Sequence, residues 1–261
     1  MWLLLLWIGT ASAFNFSGHS TSINVLGQSG KVTITRGSNV ITMQVDKLYE
    51  VANGKYIGTT GQNKHSVTAF ATQNFEFTPL ERVLYKNVSV DQFYFFSSIH
   101  NIGLLDIRTM LVNNQSSLGT ATEEWQVSPG DIKWNIELRN WQFLPEADSI
   151  ELHIEIKGNK PSGNTSSKTI DIGGGTLQLS NRVVIDGVER DMPEGYPRVV
   201  QQGSKDFYIF KFPRFNTNAV YDPVLQFAQT STQTSTGSRI KPLAIACLLY
   251  LLVSAGVEPA M

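Results

Sequence analysis

The sequence has a single cysteine, Cys247, and this residue lies in an apolar stretch near the C-terminal end. One cysteine cannot form a disulfide within the chain. The polar middle of the sequence therefore offers no thiol for nucleophilic catalysis and no thiolate for a metal site. An exported domain of this kind must be held together by its core alone. A region of about 200 residues can do so, because folding at that size buries roughly 70% of the unfolded surface.

The sequence also lacks a dominant charge. It has 21 Lys and Arg residues against 22 Asp and Glu residues, which gives a formal net charge of −1. Because basic and acidic residues are nearly equal in number, the chain has no electrostatic footprint for nucleic acid and no polybasic patch for a membrane surface. Dense acidic runs that could sequester calcium by charge alone are missing as well.

Motifs that name a reaction are missing too. The sequence contains neither a His-Glu-x-x-His nor a Gly-x-Ser-x-Gly motif, so metalloprotease and serine-hydrolase templates find no support. No histidine has a second histidine or a carboxylate at metal-ligand spacing, and we predict that all four are solvated or lie in loops. We therefore expect a protein that is not an enzyme and needs no cofactor. The four histidines are His19, His65, His100 and His153.

An apolar run at the N-terminal end indicates export. Residues 2–8 are apolar, and the small residues Ala11 and Ala13 match the pattern that a signal peptidase recognises. The run is far too short to span a bilayer. We predict that residues 1–13 are a signal peptide and that Phe14 is the first residue of the mature chain.

The C-terminal end indicates attachment to a membrane. The apolar run 243–257 reaches about 22 Å as a helix, against a hydrocarbon core of about 30 Å. It follows a polar spacer rich in Ser and Thr at 229–242. Small residues, a spacer and an apolar tail together form a glycosylphosphatidylinositol signal. We predict lipid attachment at Ser235, loss of the tail 243–261 and an extracellular region at 14–228. The alternatives are a short transmembrane segment and a secreted form.

Four N-glycosylation sequons support export. Three of them, at residues 15, 114 and 164, fall where the sequence predicts a loop or a terminus. That agreement favours a glycosylated extracellular surface. The four predicted glycosylation sites are Asn15, Asn87, Asn114 and Asn164.

The middle of the chain is rich in β patterns and has almost no helical periodicity. In 131–139 and 150–157, apolar residues alternate strictly with polar ones. This alternation indicates strands of a sheet with one buried and one solvated face. We expect these two strands to pair antiparallel with each other. Further strands are predicted at 31–35, 40–51, 66–77, 92–99, 102–112, 123–127, 176–186 and 206–213.

Many short strands with frequent turn signals predict an all-β fold. We expect an antiparallel β-sandwich, built as one large sandwich or as two packed ones. Asn53-Gly54 is a strong hairpin signal because both residues tolerate positive φ, and His100 is placed in a second hairpin turn. The string 171–176 resembles the phosphate-binding turn of actin-like ATPases. Without a partner loop or α/β alternation, we interpret it as a glycine turn between strands 168–172 and 176–180.

Four carboxylates lie close together at 186–194. Oxygen ligands on a loop can hold Ca²⁺, but the spacing differs from that of an EF-hand loop. Two interpretations stay open: a calcium site, and a solvated hairpin with a tight turn at Asp186-Gly187. The candidate ligands are Asp186, Glu189, Asp191 and Glu194.

Aromatic residues are concentrated at 93–96 and at three tryptophans that are close in sequence. Alternation places residues 93 and 95 on one face of a strand and residues 94 and 96 on the other. One pair must then face outward, unless the strand is buried on both sides. We predict core packing for most of these rings. The three tryptophans are Trp125, Trp134 and Trp141. Trp141, which follows a strand, is the best candidate for an exposed ring.

A secreted β-sheet chain with sequons and an apolar tail is similar to uncharacterised extracellular proteins of animals and protists. Among these are proteins of the organic matrix of coral skeletons. The resemblance implies an extracellular location and association with a mineral matrix.

Together these features predict a non-enzymatic glycoprotein of the cell surface or extracellular matrix that acts in adhesion or recognition. Its partner would be an extracellular protein, a glycan or a mineral matrix, and not nucleic acid. The alternative is a biomineral-associated matrix protein that uses acidic loops such as 186–194, with Ca²⁺ as a ligand. A third hypothesis is a glycan-active enzyme, which would need two carboxyl groups in an open groove beside aromatic rings.

Overall fold

A computed structural model describes residues 13–61, 64–71, 73–119, 122–158, 169–203 and 205–227. The chain divides into two units after Ala228, and all described residues belong to the first, residues 1–228. The predicted signal peptide up to residue 12, the sequon at Asn164, the spacer with Ser235 and the tail lie outside the described residues.

The described residues form 21 β-strands and no helix, as the alternating sequence patterns predict. Every strand pair is antiparallel, and the strands form one sheet of eight, one of eleven and one of two. In chain order the strands are β1 (Ala13–Gly18), β2 (Thr21–Leu26), β3 (Lys31–Arg36), β4 (Asn39–Ala52), β5 (Lys55–Ile57), β6 (Glu76–Phe77), β7 (Glu81–Tyr85), β8 (Val88–Ile99), β9 (Gly103–Val112), β10 (Ser116–Gly119), β11 (Glu124–Val127), β12 (Ile132–Arg139), β13 (Ser149–Lys157), β14 (Thr169–Asp171), β15 (Gly175–Gln178), β16 (Arg182–Ile185), β17 (Val188–Asp191), β18 (Arg198–Gln202), β19 (Lys205–Pro213), β20 (Asn218–Tyr221) and β21 (Val224–Phe227).

Sheet A, the sheet of eight, has the order β1-β2-β3-β4-β13-β19-β18, and β5 pairs with the end of β4. Sheet B, the sheet of eleven, has the order β14-β15-β21-β12-β20-β16-β17. On its other edge β12 pairs with β9, β9 with β8, and β8 with both β6 and β7. The strand β12 is therefore central to sheet B, and β13 is central to sheet A.

One hydrophobic core lies between the two sheets. It combines side chains from both, such as Ile34 and Leu152 of sheet A and Phe95 and Trp134 of sheet B, and all four are at most 1% exposed. Each buried aliphatic or aromatic side chain stabilises the fold by about 1.5–3 kcal/mol relative to an exposed one. A single continuous core means one large sandwich, and it holds without a disulfide because the chain has only one cysteine.

A second, smaller core lies on the outer face of sheet B. The hairpin of β10 and β11, here called the cover hairpin, packs Leu118 and Val127 over the outward side chains of β8 and β9. The residues it covers there include Val90, Met110 and Val112, all fully buried. Sheet B is therefore buried on both faces beneath this hairpin.

Four sequence predictions about strands are wrong. The strands 131–139 and 150–157 exist as β12 and β13, but they lie in different sheets: β12 pairs with β9, β20 and β21, and β13 with β4 and β19. The connecting residues 140–148 cross between the sheets instead of forming a hairpin, and Asn140 starts the crossing at a φ of 51°.

The expected solvated face of β13 is also absent. Eight of its nine residues are buried, with only Lys157 exposed, because partners from distant parts of the chain cover its polar side. The expected strand 66–77 is mostly a loop. Its buried Phe70 and Phe75 donate single backbone hydrogen bonds to Asp46 of β4 and to Gly27, and Val67 forms an isolated bridge with Leu48. The segment 176–186 is divided into β15 and β16.

The turn predictions are confirmed. Asn53-Gly54 joins β4 to β5 with φ values of 50° and 73°, and Asp186-Gly187 joins β16 to β17 with 51° and 79°. His100 lies in the turn between β8 and β9. The glycine segment 173–174 turns the chain between β14 and β15, which pair antiparallel.

Candidate functional site

The interior of the sandwich is closely packed. Two apolar cavities between the sheets, one beside Met43 and Phe95 and one beside Trp134 and Phe210, each have a volume of only about 10 Å³. That is room for one water molecule at most. The positions that need an explanation are the buried ionisable groups on the outer faces of the sheets.

Glu50 is a fully buried carboxylate that is saturated with hydrogen bonds. The indole Nε1 of Trp141 donates to Glu50 Oε1 at 2.7 Å, and the Nδ1 of His65 lies 3.1 Å from the same oxygen. The backbone N–H of Leu144 donates to Glu50 Oε2 at 3.2 Å. These contacts hold the crossing segment 140–148 against sheet A. Trp141 is only 4% exposed, so the prediction of an exposed ring is wrong.

Glu151, on the outer face of β13, is a second saturated carboxylate. It accepts hydrogen bonds from the hydroxyls of Tyr56 (3.0 Å) and Tyr196, and Arg198 lies 3.4 Å away. Burial alone would raise the pKa of the Glu151 carboxyl. Hydrogen bonds from His153, Tyr196 and Tyr56 outweigh burial and lower that pKa to about 2. His153 is only 5% exposed.

The histidine prediction is thus divided in its outcome. His19 and His100 are exposed in turns with positive φ, as expected. His65 lies in a loop, as expected, although it contacts the buried Glu50. His153 is buried on the strand β13, so for this histidine the prediction is wrong. The partners of His153 lie on β4 and β5, about a hundred residues away along the chain.

Lys133 is a buried cation beneath the cover hairpin. It is fully buried on the outer face of β12, donates to the backbone carbonyl of Asp222 at 3.1 Å and lies 3.5 Å from the Asp222 carboxylate. Burial lowers the pKa of the Lys133 ammonium to about 8, although the Asp222 carboxylate acts against the shift. This part of the outer face of sheet B lies under the cover hairpin and is closed, and we call it the covered end.

The strands β8, β9 and β12 also form an open groove, which lies further along the outer face of sheet B. The register pairs Phe96 with Asp106 and Leu104 with Arg139, which places these side chains and Tyr94 on one face. The groove has a volume of about 380 Å³. Its lining residues are Thr78, Tyr94, Phe96, Leu104, Asp106 and Arg139, and we call this part of the face the open end.

Asp106 forms the floor of this groove and, unlike Glu50 and Glu151, is not saturated with hydrogen bonds. It is 6% exposed, and its Oδ2 accepts a hydrogen bond from Arg139 Nη2. Its Oδ1 is buried without a hydrogen-bond partner, and the same is true of Arg139 Nε. Burial raises the pKa of the Asp106 carboxyl, and the neighbouring Arg139 acts in the opposite direction. An acceptor and a donor of one ion pair thus have no hydrogen bond at the floor, although Arg139 Nε lies 3.9 Å from Glu137 Oε2.

The predicted calcium ligands do not converge. Asp186 accepts hydrogen bonds from the backbone N–H groups of residues 216–218, and Glu189 and Asp191 both pair with Arg182. Glu194 is exposed in a loop. Within the described ranges no group of three or more His, Cys, Asp or Glu residues could hold a metal ion. Of the two interpretations, the hairpin is present in the structure, where it consists of β16 and β17.

Three predicted glycosylation sites fall on described residues, and all three asparagines are exposed. Asn15 lies on the edge strand β1 and not in a flexible terminus, and its side chain accepts a hydrogen bond from Asn24. Asn87 lies in the turn between β7 and β8 with a φ of 67°. Asn114 follows β9 in a short bend. Glycosylation of each site stays a prediction.

Sequence reasoning missed the groove. The alternation within 93–96 is confirmed, because Phe93 and Phe95 are fully buried while Tyr94 and Phe96 are partly exposed on the outer face. What the sequence did not show was which acidic residue would stand opposite Phe96. That information lies in the register of β8 with β9, and the tight turn at His100 was the one signal that could have fixed it.

The fold and the groove together define a large, disulfide-free β-sandwich. The outer face of sheet B is closed at the covered end and has a groove at the open end. A family model described as acidic skeletal organic matrix protein matches residues 11–159 and 154–255. The two matches cover nearly the whole chain, and the chain therefore belongs to the acidic skeletal organic matrix protein family. Proteins of the skeletal organic matrix are secreted and extracellular, as the sequence predicts for this chain. Among the described residues there is no helix with the length and apolar character that a membrane span requires.

Proposed function

We propose that this chain is a non-enzymatic structural protein of the skeletal organic matrix that associates with mineral. The observation that carries the proposal is the family match over residues 11–159 and 154–255. A disulfide-free sandwich with one continuous core also suits a durable extracellular component, because its stability does not depend on a redox environment.

The distribution of charge supports association by scattered carboxylates and not by a polyanionic surface. The net charge is only −1, and Glu50, Glu151 and Asp106 are buried. The acidic side chains that remain exposed are spread over loops and strand ends, where single carboxylates can meet calcium ions of a mineral face. They include Glu76, Glu124, Glu146, Asp171 and Glu194.

A glycan-active enzyme is less well supported. Asp106 and Glu137 stand directly opposite each other on β9 and β12, and directly opposite residues of an antiparallel pair lie close together. Both carboxylates are held by donors of the same sheet. Arg139 contacts both of them, and Asn218 donates to Glu137 at 2.7 Å. Such anchoring favours fixed positions over proton transfer, so we expect no hydrolysis of oligosaccharides by this protein.

Retention on mineral tests the proposal. Protein produced in animal cells from the full-length sequence is mixed with calcium carbonate powder and, in parallel, with silica of equal surface area. We expect retention on the carbonate that exceeds retention on silica and that decreases when free calcium in the buffer competes for the carboxylates. Equal retention on both powders would contradict the proposal.

A pair of matched variants sharpens this test. Glu146→Gln with Glu194→Gln removes two exposed negative charges, whereas Lys55→Gln with Arg190→Gln removes two exposed positive ones. Retention on carbonate should decrease for the first pair and should not decrease for the second. If both pairs behave alike, exposed carboxylates are not the groups that meet the mineral.

We also propose that the protein reaches the matrix from the cell surface, on a lipid anchor at Ser235. The support is the order of small residues, polar spacer and apolar tail in the sequence. A phospholipase C specific for this anchor should release the protein from intact expressing cells. Protein that stays in the membrane and retains Cys247 would show a transmembrane segment instead.

A further inference from the structure

We infer that the groove at the open end of sheet B binds a neutral sugar ring of a matrix or cell-surface glycan. The inference concerns a site lined by six side chains of β8, β9, β12 and the residue after β6. It is independent of mineral association, because none of the exposed carboxylates named for the mineral is required for it.

The walls of the groove suit the apolar face of a sugar. Tyr94 and Phe96 project from the same face of β8 two residues apart, and both are partly exposed. Leu104 extends this apolar surface on the neighbouring strand β9. Arg108 lies over the Tyr94 ring at 5.3 Å from its centroid and fixes one side of it. Flat, preformed aromatic surface of this kind is the usual platform for the C–H face of a pyranose.

The floor of the groove suits the hydroxyls of a sugar. Asp106 Oδ1 is a buried acceptor without a partner, and Arg139 Nε is a buried donor without one. Leaving such groups unpaired costs stability, so their retention in one ion pair at the floor of a groove points to a ligand that satisfies both. Two neighbouring hydroxyls can do so, since one donates to the carboxylate while the other accepts from the guanidinium.

The charges around the floor select against acidic sugars. Asp106, Glu137 and Glu81 contribute three negative charges around the groove, and Arg139 and Arg108 contribute two positive charges. An anionic ligand would face a local excess of negative charge and would also compete with two carboxylates that already hold Arg139. We therefore expect neutral hexoses to bind and sulfated or uronic sugars to be excluded.

Isothermal titration with defined oligosaccharides tests the inference. The probes are neutral hexaoses of glucose, N-acetylglucosamine and mannose, with heparin-derived hexasaccharide as the anionic comparison. The full-length protein from animal cells should bind at least one neutral hexaose and should bind the anionic one at least about tenfold more weakly. No binding of any neutral hexaose, or tighter binding of the anionic one, would overturn the inference.

Variants locate the site. Tyr94→Ala removes one wall, and Asp106→Asn keeps the shape of the floor while removing a charged acceptor, whose hydrogen bonds are commonly worth about tenfold or more in affinity. Each should weaken binding by about tenfold or more. Tyr56→Ala, which removes a 45% exposed tyrosine from the outer face of sheet A, is the matched control and should bind like the wild type.

Asp106→Asn also guards against a variant that fails to fold, because the amide replaces the carboxyl without a change of volume. Thermal unfolding and the near-ultraviolet circular dichroism of each variant show whether the sandwich is intact. Binding that is unchanged in both folded groove variants would overturn the assignment of the site even if the wild type binds a sugar.

Discussion

The covered and open ends of the outer face of sheet B use the same three strands for different purposes. At the covered end, β8, β9 and β12 present Val90, Met110 and Lys133, and the cover hairpin encloses them. At the open end they present Phe96 and Asp106 to a groove. Sheet B is thus closed at one end, where packing stabilises it, and remains accessible at the other.

The two ends differ in what covers their buried charges. Lys133 has its partner, Asp222, on the segment that leads from β20 to β21 in the same sheet. Asp106 is held on one oxygen only, and its second oxygen has no hydrogen-bond partner at the floor of the groove. Asp222 Oδ1 likewise has no hydrogen-bond partner, but the cover hairpin closes that end, whereas the floor of the open end lines a groove that a ligand can enter.

The largest expected effect separates the two ends by the same substitution. Leu118 of the cover hairpin is 1% exposed, and Leu104 lines the open groove. Leu118→Ala should lower the free energy of unfolding by about 2–5 kcal/mol, because it removes buried surface and leaves a cavity. Leu104→Ala should cost less, about 1 kcal/mol, since that side chain is partly exposed at the groove and its loss leaves no closed cavity. Urea unfolding measures both, and equal losses would mean that the two ends are packed alike.

The next effect concerns the pH dependence of stability at the covered end. The pKa of Lys133 is about 8 in the fold and about 10.4 in an unfolded chain. Between these values only the unfolded chain binds the proton, so stability increases as the pH increases and is lost as the pH falls through 8. The free energy of unfolding should be about 2 kcal/mol greater at pH 9.5 than at pH 7.5.

The matched variants for this prediction are Lys133→Met, which should abolish the increase, and Lys55→Met at an exposed site, which should retain it. Urea unfolding of all three proteins at pH 7.5, 8.5 and 9.5 provides the comparison. An increase that persists in Lys133→Met would show that another group is responsible.

A smaller effect is expected on sheet A, where Glu151 is saturated as Lys133 is. The pKa of Glu151 is lowered to about 2, so its contribution is present above about pH 4.5 and is lost as the pH falls toward 2. After allowance for solvent screening we expect a contribution of about 1–2 kcal/mol. Glu151→Gln should reduce the loss of stability between pH 5 and pH 2.5 by that amount. The exposed Glu194→Gln is the control and should show the wild-type loss.

The smallest effect on stability is expected for Asp106→Asn. The variant loses the charge that pairs with Arg139, but it also relieves a buried carboxylate whose second oxygen has no partner. The two consequences oppose each other, so the free energy of unfolding should change by about 1 kcal/mol or less. A loss of several kcal/mol in urea unfolding would show that Asp106 belongs to the stabilising part of the sheet.

Local patterns predicted the strands better than their partners. Alternation placed β12 and β13 within a residue of their observed bounds, and Asn53-Gly54 and Asp186-Gly187 gave their hairpins. Pairing β12 with β13 was wrong because sequence proximity favours a hairpin, whereas the actual partners of β13 are β4 and β19, far away along the chain. Partner choice depends on the whole core and not on the segment itself.

The same limit explains the site residues. Alternation correctly assigned Glu151, His153 and Glu155 to one face of a strand, but only the fold brings Tyr56 and Tyr196 over that face. The groove is a similar case. Aromatic residues at 94 and 96 were visible in the sequence, and Asp106 became their neighbour only through the register of β8 with β9.

Hydroxyl-radical footprinting with mass spectrometry tests the central contrast most directly. Oxidation of side chains is measured in the full-length protein with and without the neutral hexaose that binds best. We predict that oxidation of Tyr94 and Phe96 decreases on binding, while oxidation of Tyr85 and Trp125, at the covered end, does not change. Protection that appears at the covered end, or on sheet A, and not at Tyr94 and Phe96 would contradict the account.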